Sequence, residues 1–390
     1  MSMAADPVLI LGSGLAGWAV ARELRKLDPA ASLMMITGDS GDFYAKPSLS
    51  NAFAQGRLPA QLVGTPAAEM TRSLGVALLS RTTVESIDRS AKAVVTGSGR
   101  LHYSRLVLAT GARPVRLPLA GDGAAAVRSV NSLEDFSAFH AQLRPGSHVA
   151  IMGAGLIGCE FANDLASAGF GVSVIDPSSR PLAALLPQAA GEALRQALHA
   201  LGAKWHLGTA VQAVHRDGDR LQLDLANGER VTADAVLSAV GLRADIALAQ
   251  AAGLACDRGI VVDATLATSD PDIFALGDCA QYASGLWAQG PVSGGRTLPF
   301  VLPIMSAAKV LAARLAGQPG TLRFPLMPVA VKTPALPLVV ASPPHGSPGQ
   351  WHGREEGLWH FMDDGGLARG FVLAGKQTSR RAELARRFAI

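Results

Sequence analysis

Short apolar runs that break into glycine recur along this chain in a fixed order. Residues 8–11, VLIL, enter GSGLAG, and the following AVARELRKL repeats its apolar positions at helical spacing. The same order returns at residues 148–169, HVAIMGAGLIGCEFANDLASAG, where an apolar run meets Gly153, Gly155 and Gly158 before a second helical stretch. Each unit leads to another apolar run that closes on an acid, SLMMITGD on Asp39 and GVSVID on Asp176. Other apolar runs end at small residues: RLVLATGARP at Thr110 and Gly111, DAVLSAVGLRAD at Gly241, and IFALGD at Gly277 and Asp278. Near the C-terminus LWHFMDDGGLARGFVLAG alternates on both sides of an Asp-Gly turn, which predicts a β-hairpin. The chain closes on SRRAELARRFAI, a basic amphipathic stretch.

A strand, a glycine turn and a helix in that order form a phosphate cradle. In the first unit Gly12 permits the tight turn, Gly14 lets a pyrophosphate reach the backbone, and Gly17 lets the helix pack on the strand. Ser13, Leu15 and Ala16 line the turn, and the exposed N–H groups with the helix dipole hold the phosphates. Gly153, Gly155, Leu156, Ile157 and Gly158 repeat the arrangement. Asp39 lies 22 residues past Gly17, near the distance at which a carboxylate takes a ribose hydroxyl, a place that Thr37 or the backbone can also fill. Asp176 lies 18 residues past Gly158; an acid there suits the free 2′-hydroxyl of NAD and repels the 2′-phosphate of NADP, with Arg180 the one neighbour that softens the preference. Two cradles imply two dinucleotides, one resident and one exchanging. Gly277 and Asp278 offer a close backbone approach and a carboxylate that accepts from a polyol hydroxyl.

Composition narrows the class. With 390 residues, 49% hydrophobic and 17% charged, the chain has enough apolar material for two or three buried cores. Gly, Pro or charge interrupts every apolar stretch before it reaches membrane-spanning length, and the N-terminus lacks the basic start and long apolar core of a signal peptide. A cytoplasmic protein with no membrane insertion is expected. The net charge of +4 is too small and scattered to argue for nucleic acid. Cys159, Cys256 and Cys279 lie far apart, so neither a disulfide framework nor a zinc site is expected, and none of the nine histidines has a partner at metal-ligand spacing.

Taken in order, these motifs resemble the two-dinucleotide flavoprotein reductases over nearly the whole chain. The resemblance implies an α/β fold with two doubly wound Rossmann-like domains and a small α+β C-terminal domain. It implies FAD on the first cradle, NADH on the second, and hydride transfer between the two nucleotides. The FAD domain would combine residues 1–115 and 247–318, the NAD domain would span 116–246, and a C-terminal interface domain would span 319–390. In the same resemblance Asp278 meets the ribityl chain of FAD. Lys46, before Pro47, sits beside the flavin and pairs with Glu160 in the first turn of its helix, the two forming the catalytic pair. Lys332 contacts FAD from the C-terminal domain, and Val84 and Val301 make backbone contacts to the adenine and the flavin ring.

The disulfide reductases of this group need a thiol pair beside the flavin, and the NADH oxidases keep one cysteine after the KP loop. Here the loop reads FYAKPSLSNAFAQG, with no cysteine, so electrons must leave directly from the flavin. The segments YAKPSLS, TLPFVLPIMSAAKVLAARLAGQ and MPVAVKTPALPLVVASPP are similar to the rubredoxin and flavorubredoxin reductases. That implies NADH as donor and rubredoxin, or a rubredoxin-like domain, as acceptor. A ferredoxin reductase of the dioxygenase type and an NADH oxidase stay as alternatives, as do monomer and homodimer. Arg380, Arg381, Arg386 and Arg387 give a surface complementary to an acidic carrier, and the insertion 284–296 is a Gly-rich departure from the pattern.

Overall fold

The computed structural model describes residues 6–287, 295–343 and 346–388. Residues 288–294, the centre of the Gly-rich insertion, lie outside them. The chain divides into two compact units.

The first unit comprises Met1–Ala45, Val63–Arg113 and Arg243–Met327. Its centre is a five-stranded parallel sheet in the order Ile273–Ala275, Arg105–Leu108, Val8–Leu11, Leu33–Ile36, Val76–Leu79. Leu9 and Ile10 are fully buried, as expected of a strand covered on both faces. The helix Leu15–Leu27 lays Ala16, Ala19, Val20 and Leu24 inward and packs against the helix Val301–Leu315, whose Ala307, Ala308 and Ala312 allow close approach. A three-stranded antiparallel sheet, Val84–Asp88, Ala93–Thr96 and Gly99–His102, adds Ile87 and Val94 to the same core. Val8–Leu11 is the first strand in sequence and the central one in space. The order therefore reverses beside it, and that switch point is where ligands lodge in open α/β sheets.

The second unit comprises Lys46–Leu62, Pro114–Leu242 and Pro328–Ile390. Its parallel sheet runs Lys204–Leu207, Gly171–Asp176, His148–Met152, Ala235–Ser238, again with the first strand inside. The meander Val211–Asp217, Arg220–Leu225 and Arg230–Ala233 packs Val214, Leu223 and Val231 against Ala150, Met152 and Ile175. Residues 46–62 belong to this unit, whereas the sequence reading grouped them with the first cradle. The aromatic ring of Phe53 explains the grouping: it lies 5.3 Å from Phe136 and 5.5 Å from Phe170 and stacks on His140.

The C-terminal part of this unit is a five-stranded antiparallel sheet in the order Val329–Val331, Leu338–Ala341, Ala368–Ala374, Leu358–Asp363, Gly349–Glu355. The expected hairpin is present, and Asp363 Oδ1 accepts the N–H of Leu367 at 2.8 Å to close its turn. The basic terminal stretch is the short helix Arg381–Arg387, seated by Leu384 and by Phe388, whose ring lies 5.3 Å from Phe371 and 5.2 Å from His360. The four arginines do not act alike. Arg380 is tied to Glu355 and Glu383, and Arg381 donates to Pro328 O at 3.0 Å; Arg386 and Arg387 are exposed.

Candidate functional site

Each cradle shows what its three glycines are for. At Gly12 the backbone has φ +107°, and a Cβ would lie 2.3 Å from Ala109 O. At Gly17 a Cβ would lie 1.9 Å from Gly12 O. The outer glycines are thus required by the turn itself. Gly14, exposed at the N-terminus of its helix, differs: a Cβ there meets nothing within 4 Å. The second cradle repeats this closely, with Gly153 2.6 Å from Ala239 O, Gly158 1.9 Å from Gly153 O, and open space at Gly155. Neither helix has a side-chain cap, so the first-turn N–H groups at both cradles face outward without a capping partner. A backbone that is closed behind and open in front, with free donors, fits a pyrophosphate.

In the first unit Ser13, Leu15 and Ala16 form the turn and helix start, and Thr110 and Gly111 follow the neighbouring strand. Thr110 Oγ1 donates to Asp245 O at 2.9 Å, fixing that strand end. Asp39 Oδ1 accepts from Ser13 Oγ at 2.8 Å, from Thr37 Oγ1 at 2.7 Å and from Gly41 N–H at 3.0 Å. Thr37, considered as its substitute, thus donates to it. Gly277 has φ +80°, and a Cβ there would lie 3.0 Å from Ala16 Cβ, so the Gly277–Asp278 turn rests on the cradle helix. The buried Tyr282 hydroxyl accepts the N–H of Gly277 at 3.1 Å, a support that sequence reading missed. Val301 opens its helix beside this turn, and Val84 opens a strand two residues after Thr82, whose N–H donates to Thr37 O.

In the second unit Asp176 ends its strand, with Oδ2 accepting from Ala154 N–H at 2.6 Å and Oδ1 from Ser178 N–H at 2.7 Å. The carboxylate is held at the cradle. Arg180 donates to Ala183 O at 3.3 Å. Gly241 has φ +120° and accepts the N–H of Val115 at 3.0 Å.

The cradle helix Leu156–Ser167 is buried nearly all round, yet Glu160, Asn163 and Asp164 are 7%, 2% and 2% exposed. Burying such groups is costly unless each is paired. Glu160 pairs with the Lys332 ammonium and also accepts from Ser50 Oγ at 2.8 Å and from Lys332 N–H at 3.1 Å. The Lys332 ammonium donates further to Pro47 O and to Ser50 Oγ, both at 2.7 Å. The expected pair was Lys46 with Glu160; the partner here is Lys332, and Lys46 is exposed, with no ion pair among the described residues. Glu160 also lies one turn deeper than expected, with no acid in the first helical turn.

Asn163 Oδ1 accepts from Ala335 N–H at 3.0 Å, and Asp164 accepts from Phe53 N–H at 3.0 Å and Ala54 N–H at 2.8 Å. Burial pushes the Asp164 carboxyl above the ordinary carboxylate range, against the pull of these N–H groups and the Lys332 charge. Three polar residues at i, i+3 and i+4 of an otherwise apolar helix were the available signal for Asn163 and Asp164.

Two of the three cysteines lie in these sites, Cys159 after Gly158 and Cys279 after Asp278. Cys159 and Cys279 are fully buried, each Sγ donating to backbone carbonyls, and burial raises all three thiols above their ordinary range. All three cysteines are free.

Comparison with known proteins agrees with this geometry. A family model described as pyridine nucleotide-disulphide oxidoreductase matches residues 6–294, and one described as rubredoxin binding C-terminal domain matches residues 321–388. The chain is 40% identical over 382 residues to the rubredoxin-NAD(+) reductase of Alcanivorax borkumensis, covering 97% of each chain. It is 42% identical over 386 residues to the enzyme of that name from Acinetobacter baylyi, covering 96% of this chain and 95% of the other. The nitric oxide reductase FlRd-NAD(+) reductase of Aeromonas hydrophila is 38% identical over 383 residues, covering 97% and 95%. Among solved structures, putidaredoxin reductase in its covalent complex with putidaredoxin has a TM-score of 0.89 at 25% identity, covering 99% of this chain and 94% of that one. This chain belongs to the pyridine nucleotide-disulphide oxidoreductase family, within its rubredoxin-NAD(+) reductase group.

Proposed function

We propose that this protein is an FAD-dependent oxidoreductase that takes a hydride from NADH and passes single electrons to rubredoxin or a rubredoxin-like domain. The observation that carries the reading is the union of two nucleotide cradles with a rubredoxin-binding type of C-terminal domain in a chain whose only three thiols are unpaired. A thiol relay needs an accessible thiolate and a resolving partner. The three cysteines are free and two of them are buried, which supports electron exit from the flavin over disulfide chemistry.

FAD, when bound, accepts two electrons as a hydride and returns them singly, which matches a two-electron donor to a one-electron iron acceptor. The residues divide the remaining work. Gly12 to Gly17 hold one pyrophosphate, with Asp39 on the ribose and Asp278 on the polyol chain. Gly153 to Gly158 hold the other, and Asp176 accepts from the 2′-hydroxyl of NADH while repelling a 2′-phosphate. Thr110, Gly111 and Gly241 shape the strand ends, and Val84 and Val301 offer backbone groups to the bound nucleotide. Lys46 supplies positive charge to the flavin. Glu160 pairs with Lys332, and Lys332 holds the Pro47 carbonyl in place.

We assign residues 1–115 and 247–318 to FAD binding, 116–246 to NADH binding and 319–390 to the carrier. Among the described residues no helix is long and apolar enough to cross a membrane. We place the enzyme in the cytoplasm, where NADH is available.

NADH consumption in air separates the alternatives. The protein alone should be slow, and addition of rubredoxin should make it fast. Fast turnover without a carrier means an NADH oxidase. Fast reduction of a [2Fe–2S] ferredoxin with slow reduction of rubredoxin means the dioxygenase-type function.

A further inference from the structure

The reading above gives Lys46 a place beside the flavin, yet among the described residues the Lys46 side chain makes no ion pair. Its side chain is exposed, and the bonds that fix its segment begin one residue later. Pro47 O receives Lys332, Ser50 Oγ meets Glu160, and the N–H groups of Phe53 and Ala54 both point at Asp164. The last contact is the unusual one. A carboxylate 2% exposed is spent on two neutral amides of one loop.

Residue type matters at this position. Two N–H groups seven and eight residues beyond Lys46 each take a different carboxylate oxygen, Phe53 on Oδ2 and Ala54 on Oδ1. An asparagine offers one acceptor and turns an NH₂ toward the other donor. An apolar residue removes both of these acceptors at once. The Phe53 ring is already anchored among Phe136, Phe170 and His140, but apolar contact tolerates sliding; a two-bond clamp to a rigid helix does not. That helix is the one that starts at the second cradle. One rod therefore sets both the NADH phosphates and the loop that ends at Lys46.

We infer that Asp164 is a positioning residue for flavin reduction: by clamping the Phe53 and Ala54 amides it fixes the Lys46–Ser50 segment, and with it the lysine that the proposed function puts beside the flavin. The inference rests on that reading of Lys46, and the test keeps the two apart.

In the holoenzyme, Asp164→Asn and Asp164→Ala should slow flavin reduction at saturating NADH by about tenfold or more, the scale of a misplaced reacting group, with the KM for NADH within about twofold of wild type. In the FAD-free protein, amide exchange at residues 53 and 54 should quicken about tenfold in the same variants, because the local opening loses its clamp. In a Lys46→Met background Asp164→Ala should add no further slowing, since both substitutions act through one group. If Asp164→Ala does not fold, the isosteric Asp164→Asn carries each comparison. Wild-type exchange at both amides, or a wild-type reduction rate, overturns the inference. Slow reduction in Lys46→Met with additive slowing from Asp164→Ala overturns the inference alone. Wild-type reduction in Lys46→Met removes the lysine from the flavin, and the inference falls with it.

Discussion

Replacing Gly155 and Gly158 one at a time by alanine should separate nucleotide binding from folding within a single turn. At Gly155 the backbone is extended, with φ −76° and ψ −171°, a conformation any residue adopts, and the new Cβ meets nothing within 4 Å. The stability cost should stay below about 1 kcal/mol, the usual scale for losing a favoured helix-capping residue. The same Cβ enters the space through which a pyrophosphate reaches the backbone. Losing one charge-assisted hydrogen bond there costs about 1.5–3 kcal/mol, or roughly 10- to 150-fold in Kd. Gly158 should behave in the opposite way. Its Cβ would lie 1.9 Å from Gly153 O, a backbone atom that cannot swing aside, so helix and turn must part by more than about 1 Å. An alanine inside a helix ordinarily stabilises by about 1 kcal/mol over glycine. Here the sign should reverse, to a loss of about 1–3 kcal/mol from overpacking. Calorimetric Tm and titration with NAD⁺ read the two effects separately. Wild-type affinity in Gly155→Ala would refute the phosphate approach, and a raised Tm in Gly158→Ala would refute the packing argument.

Four further outcomes are expected. Asp278→Ala should release FAD more readily, by about 1.5–3 kcal/mol for a lost charge-assisted bond, measured as the dissociation constant of the flavin; recovery of FMN from the wild type would defeat the assignment. Asp176→Ala should narrow the kcat/KM gap between NADH and NADPH, and a wild type preferring NADPH would contradict the role given to that acid. Rubredoxin reduction should fall steeply with salt, since charge steering is screened within about 8–10 Å. Replacing Arg386 and Arg387 should flatten that dependence with ferricyanide reduction unchanged, whereas replacing Arg380, already held by Glu355 and Glu383, should mainly loosen the C-terminal helix. His360 is buried with Nε2 unpartnered among the described residues; burial, then Arg354, Arg387 and Arg380, lower its pKa below the ordinary 6.5, with Glu355 opposing. The folded state then binds fewer protons than the unfolded one below that value, so stability should drop as pH falls from about 6.5, and His360→Leu should flatten the decline in a thermal-shift series.

What the sequence determined by itself is local. A glycine at 12 and 17, or at 153 and 158, is needed because the turn takes a positive φ or because an atom a few residues away, Gly12 O or Gly153 O, leaves no room for a Cβ, while Gly14 and Gly155 leave the front of the turn open. Such constraints act within one strand-turn-helix unit, so the spacing alone carries them, and the acids at 39 and 176 follow from the next strand of the same unit. The alternating strands around Asp363 are equally local, since a hairpin pairs neighbours. Contacts between distant segments are different. Lys46 and Lys332 are chemically the same, and only the folded chain places Lys332, 172 residues away, on Glu160. Asp164 reaches Ala54 across 110 residues, and no spacing rule ranks one buried acid above another at that range. Arg380 shows both regimes in one side chain: its bond to Glu383 is a helical neighbour contact, while its bond to Glu355 exists because the terminal helix lies beside the edge strand Gly349–Glu355. Backbone sterics decided the cradles before folding; the pairing of charges waited for the tertiary structure, because an ion pair depends on distance in space and the sequence records only distance along the chain.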